Sequence, residues 1–317
     1  GNIAFVVRDR TYGGYAGRLA FLCNTSAGTQ YTVDWGDGNT EYFSNGAVAD
    51  HTYTIGNGKP AGEYTTYKCE VSVAIGNITS MALQRTLSGL NVENTCLYCV
   101  CNATSILNLQ GAFYKDRYIQ AFKASDMTSL LYTHYMFVEA VNLKKVDIGS
   151  VDSLTDASYM FYNATALISI NIDSASSVSN ASRMVYNACS LQDLNLGNFA
   201  SSASSVDGTE AFTHFSLRGT VNTPDAKYSV LYCRGTSDKL SAITSVTFSG
   251  SSTFLGVAPQ INITYTMMDR SSIVALFNAL PTVSNSQMVN ITGSVGASDL
   301  TTEDRQIATS KGWTIVG

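Results

Sequence analysis

A 24-residue repeat constrains this chain more than any other feature of its sequence. Residues 160–172 read MFYNATALISINI and residues 184–196 read MVYNACSLQDLNL, so two segments match at a fixed offset. A weaker copy begins at residue 136, and residues 112–122 keep the same register. The apolar positions that superpose at this spacing form three sets: Leu143, Leu167 and Leu191; Val146, Ile170 and Leu194; and Ile148, Ile172 and Leu196.

This repeat predicts a solenoid. Each copy contains the pattern L-x-x-[IL]-x-[IL], which is typical of a short strand whose alternate side chains point inward. The segment that closes each copy predicts a turn followed by a short helical segment. A unit of this length cannot bury its own apolar side, so successive copies must stack on one another.

Composition excludes two classes of partner. Only 14% of the residues are charged and the net charge is −5. Binding to a nucleic-acid backbone requires clustered Lys and Arg, which the sequence lacks, so we expect no nucleic-acid partner. No apolar run approaches the length of a membrane-spanning helix, so we expect no membrane insertion. No sequence motif indicates a cofactor.

The first quarter of the chain has a different pattern. Residues 18–23, 31–35 and 67–73 read as short strands with alternating apolar positions, and Gly-rich turns separate them. We therefore predict a small β-sandwich over residues 1–76 and a solenoid over residues 77–317, with the register lost between residues 209 and 239 and regained at 243–248.

The last part of the chain predicts an α/β end cap that begins at about residue 256. Strands are expected at 261–263, 288–291 and 313–316, with helices at about 269–280 and 301–310. Thr301 is a good helix N-cap, and acidic residues follow it in the first turn. A solenoid needs such an altered last unit to cover its exposed end.

Two segments resemble known families. The sequence YTVDWGDG at residues 31–38, followed by HTY at 51–53 and YKCEVSV at 67–73, resembles the PKD-like immunoglobulin-type modules of surface proteins. The MFYN-x-x-x-L-x-x-I-x-I repeat resembles the BspA-like leucine-rich-repeat family, whose members occur as microbial surface adhesins and in bacteriophage virion proteins. The resemblances imply a β-rich, two-domain protein that binds or displays rather than one that catalyses a reaction.

The cysteines leave alternatives open. Cys23 and Cys69 lie on inward faces of predicted strands, and the immunoglobulin-type resemblance implies a disulfide between them beside Trp35; two reduced, buried thiols are the alternative. The sequence C-x-x-C-x-C at residues 96–101 could hold a metal, but it lacks a second ligand pair, so we favour small buried hydrophobic residues.

Evidence for catalysis or calcium binding is thin. Asp34 and Asp37 flank a Trp-Gly turn and are weak calcium candidates, because turn formation explains both equally well. The three histidines are His51, His134 and His214, and no catalytic motif includes them. We expect the protein not to be an enzyme, and a glycan-directed enzyme ranks third among the alternatives.

Exposed strand positions are the better functional candidates. Stacking at 24 residues predicts two columns of polar side chains on one sheet face, a surface suited to sugars or protein loops. The alternative is that this face is only solvated and binds no ligand. The predicted ligand-binding residues are Lys123, Asp147, Asn171 and Asn195 in one column and Lys145, Ser169 and Asp193 in the next.

The sequence therefore predicts a non-enzymatic recognition or display protein. We expect a bacteriophage virion component, such as a fibre, tail or capsid-decorating protein, because no signal peptide or wall-sorting tail is evident and charges are few. The alternative is a bacterial cell-surface adhesin that binds a glycan or host protein. Expected partners are other virion or surface proteins, or surface glycans, and self-association into a homo-oligomer fits both settings.

Overall fold

Strands dominate the architecture. The computed structural model describes residues 2–200, 202, 219–223, 230–232, 235–248, 260–284 and 287–317. Within these ranges there are 21 strands and two α-helices. The chain is β-rich, with a solenoid-like stack of about seven turns.

The N-terminal strands form two antiparallel sheets. The strands are β1 (Ile3–Arg8), β2 (Arg18–Thr25), β3 (Tyr31–Asp34), β4 (Thr40–Phe43), β5 (Val48–Thr52), β6 (Lys59–Pro60), β7 (Thr65–Val73), β8 (Ile78–Leu83), β9 (Thr86–Leu87), β10 (Leu90–Asn91) and β11 (Cys96–Cys101). Strands β5, β2 and β8 make one sheet, and β4, β3, β7, β1 and β11 belong to the other, with β6 paired to β7. Strands β9 and β10 pair with each other as a separate short hairpin.

Aromatic rings fill the space between these two sheets. Phe21 on β2 lies 5.2 Å from Phe5 on β1 and 6.0 Å from Trp35, measured between ring centroids. All three side chains are fully buried, and large aromatic rings contribute most of the apolar area of such a core. The strands expected at 18–23, 31–35 and 67–73 are confirmed. Strand β8 follows residue 76 and pairs with β2, so strand pairing continues past that position.

The 24-residue repeat produces parallel, in-register strands. They are β12 (Ala121–Ala124), β13 (Lys145–Ser150), β14 (Ser169–Ser174) and β15 (Asp193–Asn195). Val146 aligns with Ile170, and Ile170 aligns with Leu194, so each step of 24 residues is one turn of the stack. Leu143, Leu167 and Leu191 are all fully buried. The predicted stacking of successive copies is therefore confirmed.

One sheet runs through both parts of the chain. Strand β11 pairs in parallel with β12 and antiparallel with β1, which joins the solenoid strands to the N-terminal sheet in a single ten-stranded sheet. The buried residues of both parts likewise belong to one continuous apolar core.

The segment that closes each copy is not helical, which corrects the expectation of a short helical segment. In the copy at residues 133–140, alternate backbone N–H groups donate to the next coil: Tyr135 to Ser158, Phe137 to Met160 and Glu139 to Tyr162. The N–H groups between them donate to carbonyls three residues earlier in their own coil. A helix would direct every N–H along its own segment, so bonding between coils excludes it.

Left-handed backbone positions accompany this alternation. Tyr135, Tyr159 and Arg183 have positive φ, and so does a second series four residues later in each coil. These three coils thus each have two non-glycine residues in the left-handed region, four positions apart, and a right-handed helix cannot run through them. The second series is Lys115, Glu139, Asn163 and Asn187.

A ladder of phenylalanine rings runs through the interior of the stack. Phe113, Phe137 and Phe161 stack with centroid separations of 5.3 and 5.6 Å and nearly parallel planes. Phe122 on β12 packs edge-on against the first two rings. The next coil has the buried Val185 in the same repeat position.

The C-terminal part has the expected order of strands and helices. Its elements are β16 (Gly219–Thr223), β17 (Val230–Tyr232), β18 (Ile243–Phe248), β19 (Gln260–Asn262), α1 (Arg270–Ala279), β20 (Gln287–Asn290), α2 (Thr302–Thr309) and β21 (Trp313–Val316).

Both helices begin at side-chain caps. Asp269 accepts a hydrogen bond from the Ser272 N–H, and Thr301 forms a reciprocal capping box with Asp304. The register that returns at residues 243–248 is confirmed as β18, with Ile243 and Val246 buried. Most of the irregular stretch expected between residues 209 and 239, and the expected start of the cap near residue 256, lie outside the described residues.

We predict that Glu139→Asn stabilises the protein. Glu139 has φ of 55°, a conformation that asparagine adopts more readily, and the new amide would extend the bonded pair Asn163 and Asn187. The expected gain in the free energy of unfolding is about 0.5 kcal/mol, after loss of the exposed Lys115–Glu139 ion pair. Chemical denaturation measures this gain. Glu63→Asn, where φ is not positive, is the control and should change nothing; a destabilised Glu139→Asn would contradict the account.

We also predict that Phe137→Ala lowers the free energy of unfolding by about 3 to 5 kcal/mol, because it opens a cavity between two stacked rings. Thermal or urea unfolding measures the loss. Phe137→Leu keeps an aliphatic group where a later coil has Val185, and it should cost clearly less. Equal losses for the two variants would show that filling this position does not matter.

Candidate functional site

The predicted binding residues lie together on the outer face of the solenoid strands. We call this surface, formed by the outward-facing side chains of β12, β13, β14 and β15, the sheet face. Strand pairing aligns Lys123, Asp147, Asn171 and Asn195 in one column, and it aligns Lys145, Ser169 and Asp193 in the neighbouring column. The structure thus brings all seven residues onto one surface.

Side-chain hydrogen bonds connect the first column. The Asn195 amide donates to Asn171 Oδ1 at 2.6 Å, and the Asn171 amide donates to Asp147 Oδ1 at 3.0 Å. Because Asp147, Asn171 and Asn195 are each bonded to a neighbour one coil away, this part of the column presents fixed donors and acceptors. Such fixed groups lose little conformational entropy when they bind a ligand.

A shallow depression of about 200 Å³ lies at the first strands of this face. Its lining includes Tyr98, Lys123, Lys145 and Asp147. Tyr98 is half-buried, and it aligns with Ala121 beside Lys145. Analysis of the sequence missed Tyr98, although the buried Cys99 and Cys101 on β11 leave residue 98 on the opposite, outer side of that strand.

The outer surface continues across the N-terminal strands. Pairing aligns Lys123 with Val100, Val100 with Ala4, and Ala4 with Glu70 on β7. Glu70 accepts a hydrogen bond from Lys68 at 2.6 Å, so charged groups stand on both sides of a half-buried apolar strip.

The weak calcium candidates are engaged in turn contacts. Asp34 Oδ1 accepts the Gly36 N–H at 2.9 Å, and Asp37 Oδ2 lies 2.7 Å from His51 Nε2. Although desolvation opposes the shift, hydrogen bonds from Asn39 and His51 hold the pKa of Asp37 below its ordinary value. In the part of the chain that the structure describes, no group of three or more His, Cys, Asp or Glu is placed to hold a metal. These contacts favour the turn explanation for both aspartates.

The predicted cysteine pair lies on opposite sheets of the N-terminal region. Cys23 on β2 and Cys69 on β7 are both buried and are both free thiols in the structure. Burial raises the pKa of each thiol well above its ordinary value. The structure therefore has the reduced alternative rather than the disulfide, and the pairing itself stays a prediction.

The cysteines of the C-x-x-C-x-C segment are core residues. Cys96, Cys99 and Cys101 are fully buried free thiols, and burial raises the pKa of Cys101 to about 11. Protonated thiols in an apolar core pack as small hydrophobic groups. His214 lies outside the described residues, and His51 stacks on Trp35 with ring centroids 4.7 Å apart.

A second site, which sequence analysis missed, is a cavity where the first coil meets the N-terminal strands. We call it the junction cavity; its volume is about 330 Å³. The polar and aromatic residues that line it include Arg85, Glu93, Tyr114, Lys115, Asp116 and Tyr118.

Asp116 is the unusual residue of this cavity. It is 8% exposed, and it occupies the repeat position where later coils have the fully buried Ala140, Ala164 and Ala188. Its Oδ1 accepts the N–H groups of Tyr118 at 2.8 Å and Ile119 at 2.9 Å. The departure from alanine was visible in the sequence as a break in the repeat.

Burial governs the titration of Asp116. Desolvation, with a smaller contribution from the Glu93 charge, raises its pKa to about 7 against the opposing effect of the two N–H donors and the Arg85 charge. Arg85 is exposed, and no hydrogen bond from a described residue reaches Oδ2 of Asp116. The carboxyl group therefore lacks a directly bonded counter-charge.

The remaining polar groups of the cavity are fixed in place. The Tyr118 hydroxyl donates to Glu93 Oε1 at 2.8 Å and accepts the Tyr12 N–H at 2.8 Å. Arg85 and Lys115 lie over the ring of Tyr114, at 5.6 and 5.3 Å from its centroid. The cavity thus combines two carboxyl groups with aromatic walls and a cationic rim.

Comparison with family models, with curated proteins and with solved structures finds no match to this chain. Among the helices in the described ranges, none has the length and apolar character needed to cross a membrane.

We predict that Asp116 makes stability fall as pH rises. Its pKa is near 3.8 when unfolded and about 7 when folded, so the unfolded chain loses this proton first as pH increases. Between roughly pH 4 and pH 7 the free energy of unfolding should fall by on the order of 4 kcal/mol from this group, with no further fall above pH 7.

Urea unfolding of the wild type and of Asp116→Asn across this pH range measures the effect. The asparagine keeps the Oδ1 acceptor but cannot ionise, so its stability advantage should grow with pH up to about 7. If the free energies of unfolding of the two proteins changed with pH in the same way, the raised pKa of Asp116 would be ruled out.

Proposed function

We propose that this protein is a non-enzymatic recognition and display protein whose binding surface is the sheet face. In this proposal the N-terminal strands form a PKD-like sandwich that serves as a mount, and the coils form a leucine-rich-repeat-type solenoid. The resemblances in residues 31–73 and in the repeat support the family part of the proposal, and the stacked, in-register coils support its architectural part.

The observation that carries the proposal is the bonded column of Asp147, Asn171 and Asn195. Planar amide and carboxylate groups at a regular spacing match the hydroxyl groups of a glycan or the backbone of a protein loop. Tyr98 at the adjacent depression adds an aromatic edge, and Lys123 and Lys145 add positive charge there. A rigid, flat surface with few apolar groups suits recognition of extended polar ligands.

The proposed setting is the surface of a bacteriophage virion, where the partner is a host surface or another virion protein. A bacterial cell surface is the alternative. Purification of native particles tests the setting: recovery of the protein with virions supports the first, and recovery with a cell envelope supports the second. Release of products from a polysaccharide by the purified protein would contradict the non-enzymatic part.

We predict that removing the charges at the depression weakens recognition. The triple variant Lys123→Ala, Lys145→Ala, Asp147→Ala should weaken binding on a glycan array or to whole host cells at least tenfold, because three aligned contacts are lost at once. Lys123 and Lys145 are exposed and Asp147 is half-buried on the outer face, so the melting temperature should stay within a few degrees of the wild type.

The matched control removes charges elsewhere. Lys59 and Glu63 are exposed in the N-terminal region, and Lys59→Ala, Glu63→Ala should leave binding unchanged. Full binding by the triple variant would reject the sheet face as the contact surface.

A further inference from the structure

The junction cavity has a feature that the stacking of coils does not require. Later coils have alanine at the repeat position of Asp116. In the first coil the Ile119 N–H donates to the side-chain Oδ1 of Asp116. In later coils the equivalent N–H donates to the alanine backbone carbonyl instead: Leu143 to Ala140 and Leu167 to Ala164. The fold therefore closes this turn without a carboxyl group. A buried charge that a fold does not need indicates a functional role.

The two carboxyl groups of the cavity face the same space. Glu93 is bonded through one oxygen to the Tyr118 hydroxyl, and Asp116 uses one oxygen for two backbone N–H groups. Each thus keeps one oxygen without a hydrogen bond to a described residue, and the charge of Glu93 acts on Asp116. A positive group placed between them would relieve this repulsion and supply the missing counter-charge.

The cations already present are held at the rim. Arg85 and Arg117 are exposed, and the half-buried Lys115 contacts Glu139 at 3.4 Å. Lys115 and Arg85 both lie over the ring of Tyr114. Asp116 is the one charged lining residue that is buried, so an anion drawn to the exposed cations would meet its carboxyl group further in. The arrangement favours a ligand whose positive end enters the cavity.

We propose that the junction cavity binds an ammonium group of a small ligand between Asp116 and Glu93, with the ligand's carbon skeleton against Tyr114 and Tyr118. Tyr118 is held by stacking on Tyr12 at 4.5 Å, so the wall is rigid. The volume of about 330 Å³ suits one side chain or one monosaccharide. A lysine side chain of a protein and an amino sugar share this chemistry.

Calorimetric titration of the full chain tests the proposal with two probes, Nα-acetyl-lysine methylamide and glucosamine, at pH 7. Saturable binding of either supports it, and the tighter probe identifies the source. Their neutral forms, the Nε-acetylated lysine derivative and N-acetylglucosamine, should not bind. For the lysine probe, affinity should be about tenfold lower at pH 6 than at pH 8, because Asp116 must lose its proton to bind an ammonium group. The other titratable or charged side chains that line the cavity are Arg85, Glu93, Tyr114, Lys115, Arg117 and Tyr118.

Two variants separate binding from folding. Asp116→Asn keeps the turn acceptor and should abolish binding, and Glu93→Gln keeps an acceptor for Tyr118 and should weaken it several-fold. Glu63→Gln, an exposed acid elsewhere, should bind as the wild type does. The absence of binding by both probes, or equal affinity for the wild type and Asp116→Asn, would overturn the proposal whatever the outcome at the sheet face.

Discussion

Backbone hydrogen bonding between successive coils is the constraint on which this structure depends. In each closing segment, alternate N–H groups donate to carbonyls of the next coil, and the strands on the other side pair in parallel at the same 24-residue step. A buried peptide group without a partner is costly, so a change in coil length would disrupt both ladders at once. This requirement keeps the repeat constant in length while the exposed residues vary, and it aligns chemically different side chains in columns.

The two candidate sites use this regularity in opposite ways. The sheet face repeats a polar position, so Asp147, Asn171 and Asn195 form a bonded column that no single coil could make. The junction cavity breaks the pattern, since Asp116 stands where other coils have alanine. Repetition thus produces an extended surface, whereas a departure from it produces a local pocket with a perturbed carboxyl group. The first suits an extended partner, and the second suits a small one.

Much of this fold could be predicted from the sequence, because periodicity and caps are local signals. The buried positions of the coils, the strands at 243–248 and 313–316, and the cap at Thr301 all follow from such signals. The closing segments could not be predicted correctly, because their N–H partners lie in another coil and the positive φ of Glu139 follows from that pairing. The aligned columns of the sheet face were predictable, but Tyr98 and the junction cavity depend on how β11 and the hairpin before it meet the first coil.

The position of β1 has a consequence for the order in which the chain assembles. Ile3–Arg8 is made before both of its neighbours, since it lies between β7 and β11, whose residues are about 60 to 100 positions later. The first strand must therefore wait for both neighbours, and closing such long loops slows folding. Once β11 is in place, each new coil needs only the preceding one as a template. Translation from the ribosome should thus show one slow early event followed by rapid, stepwise growth.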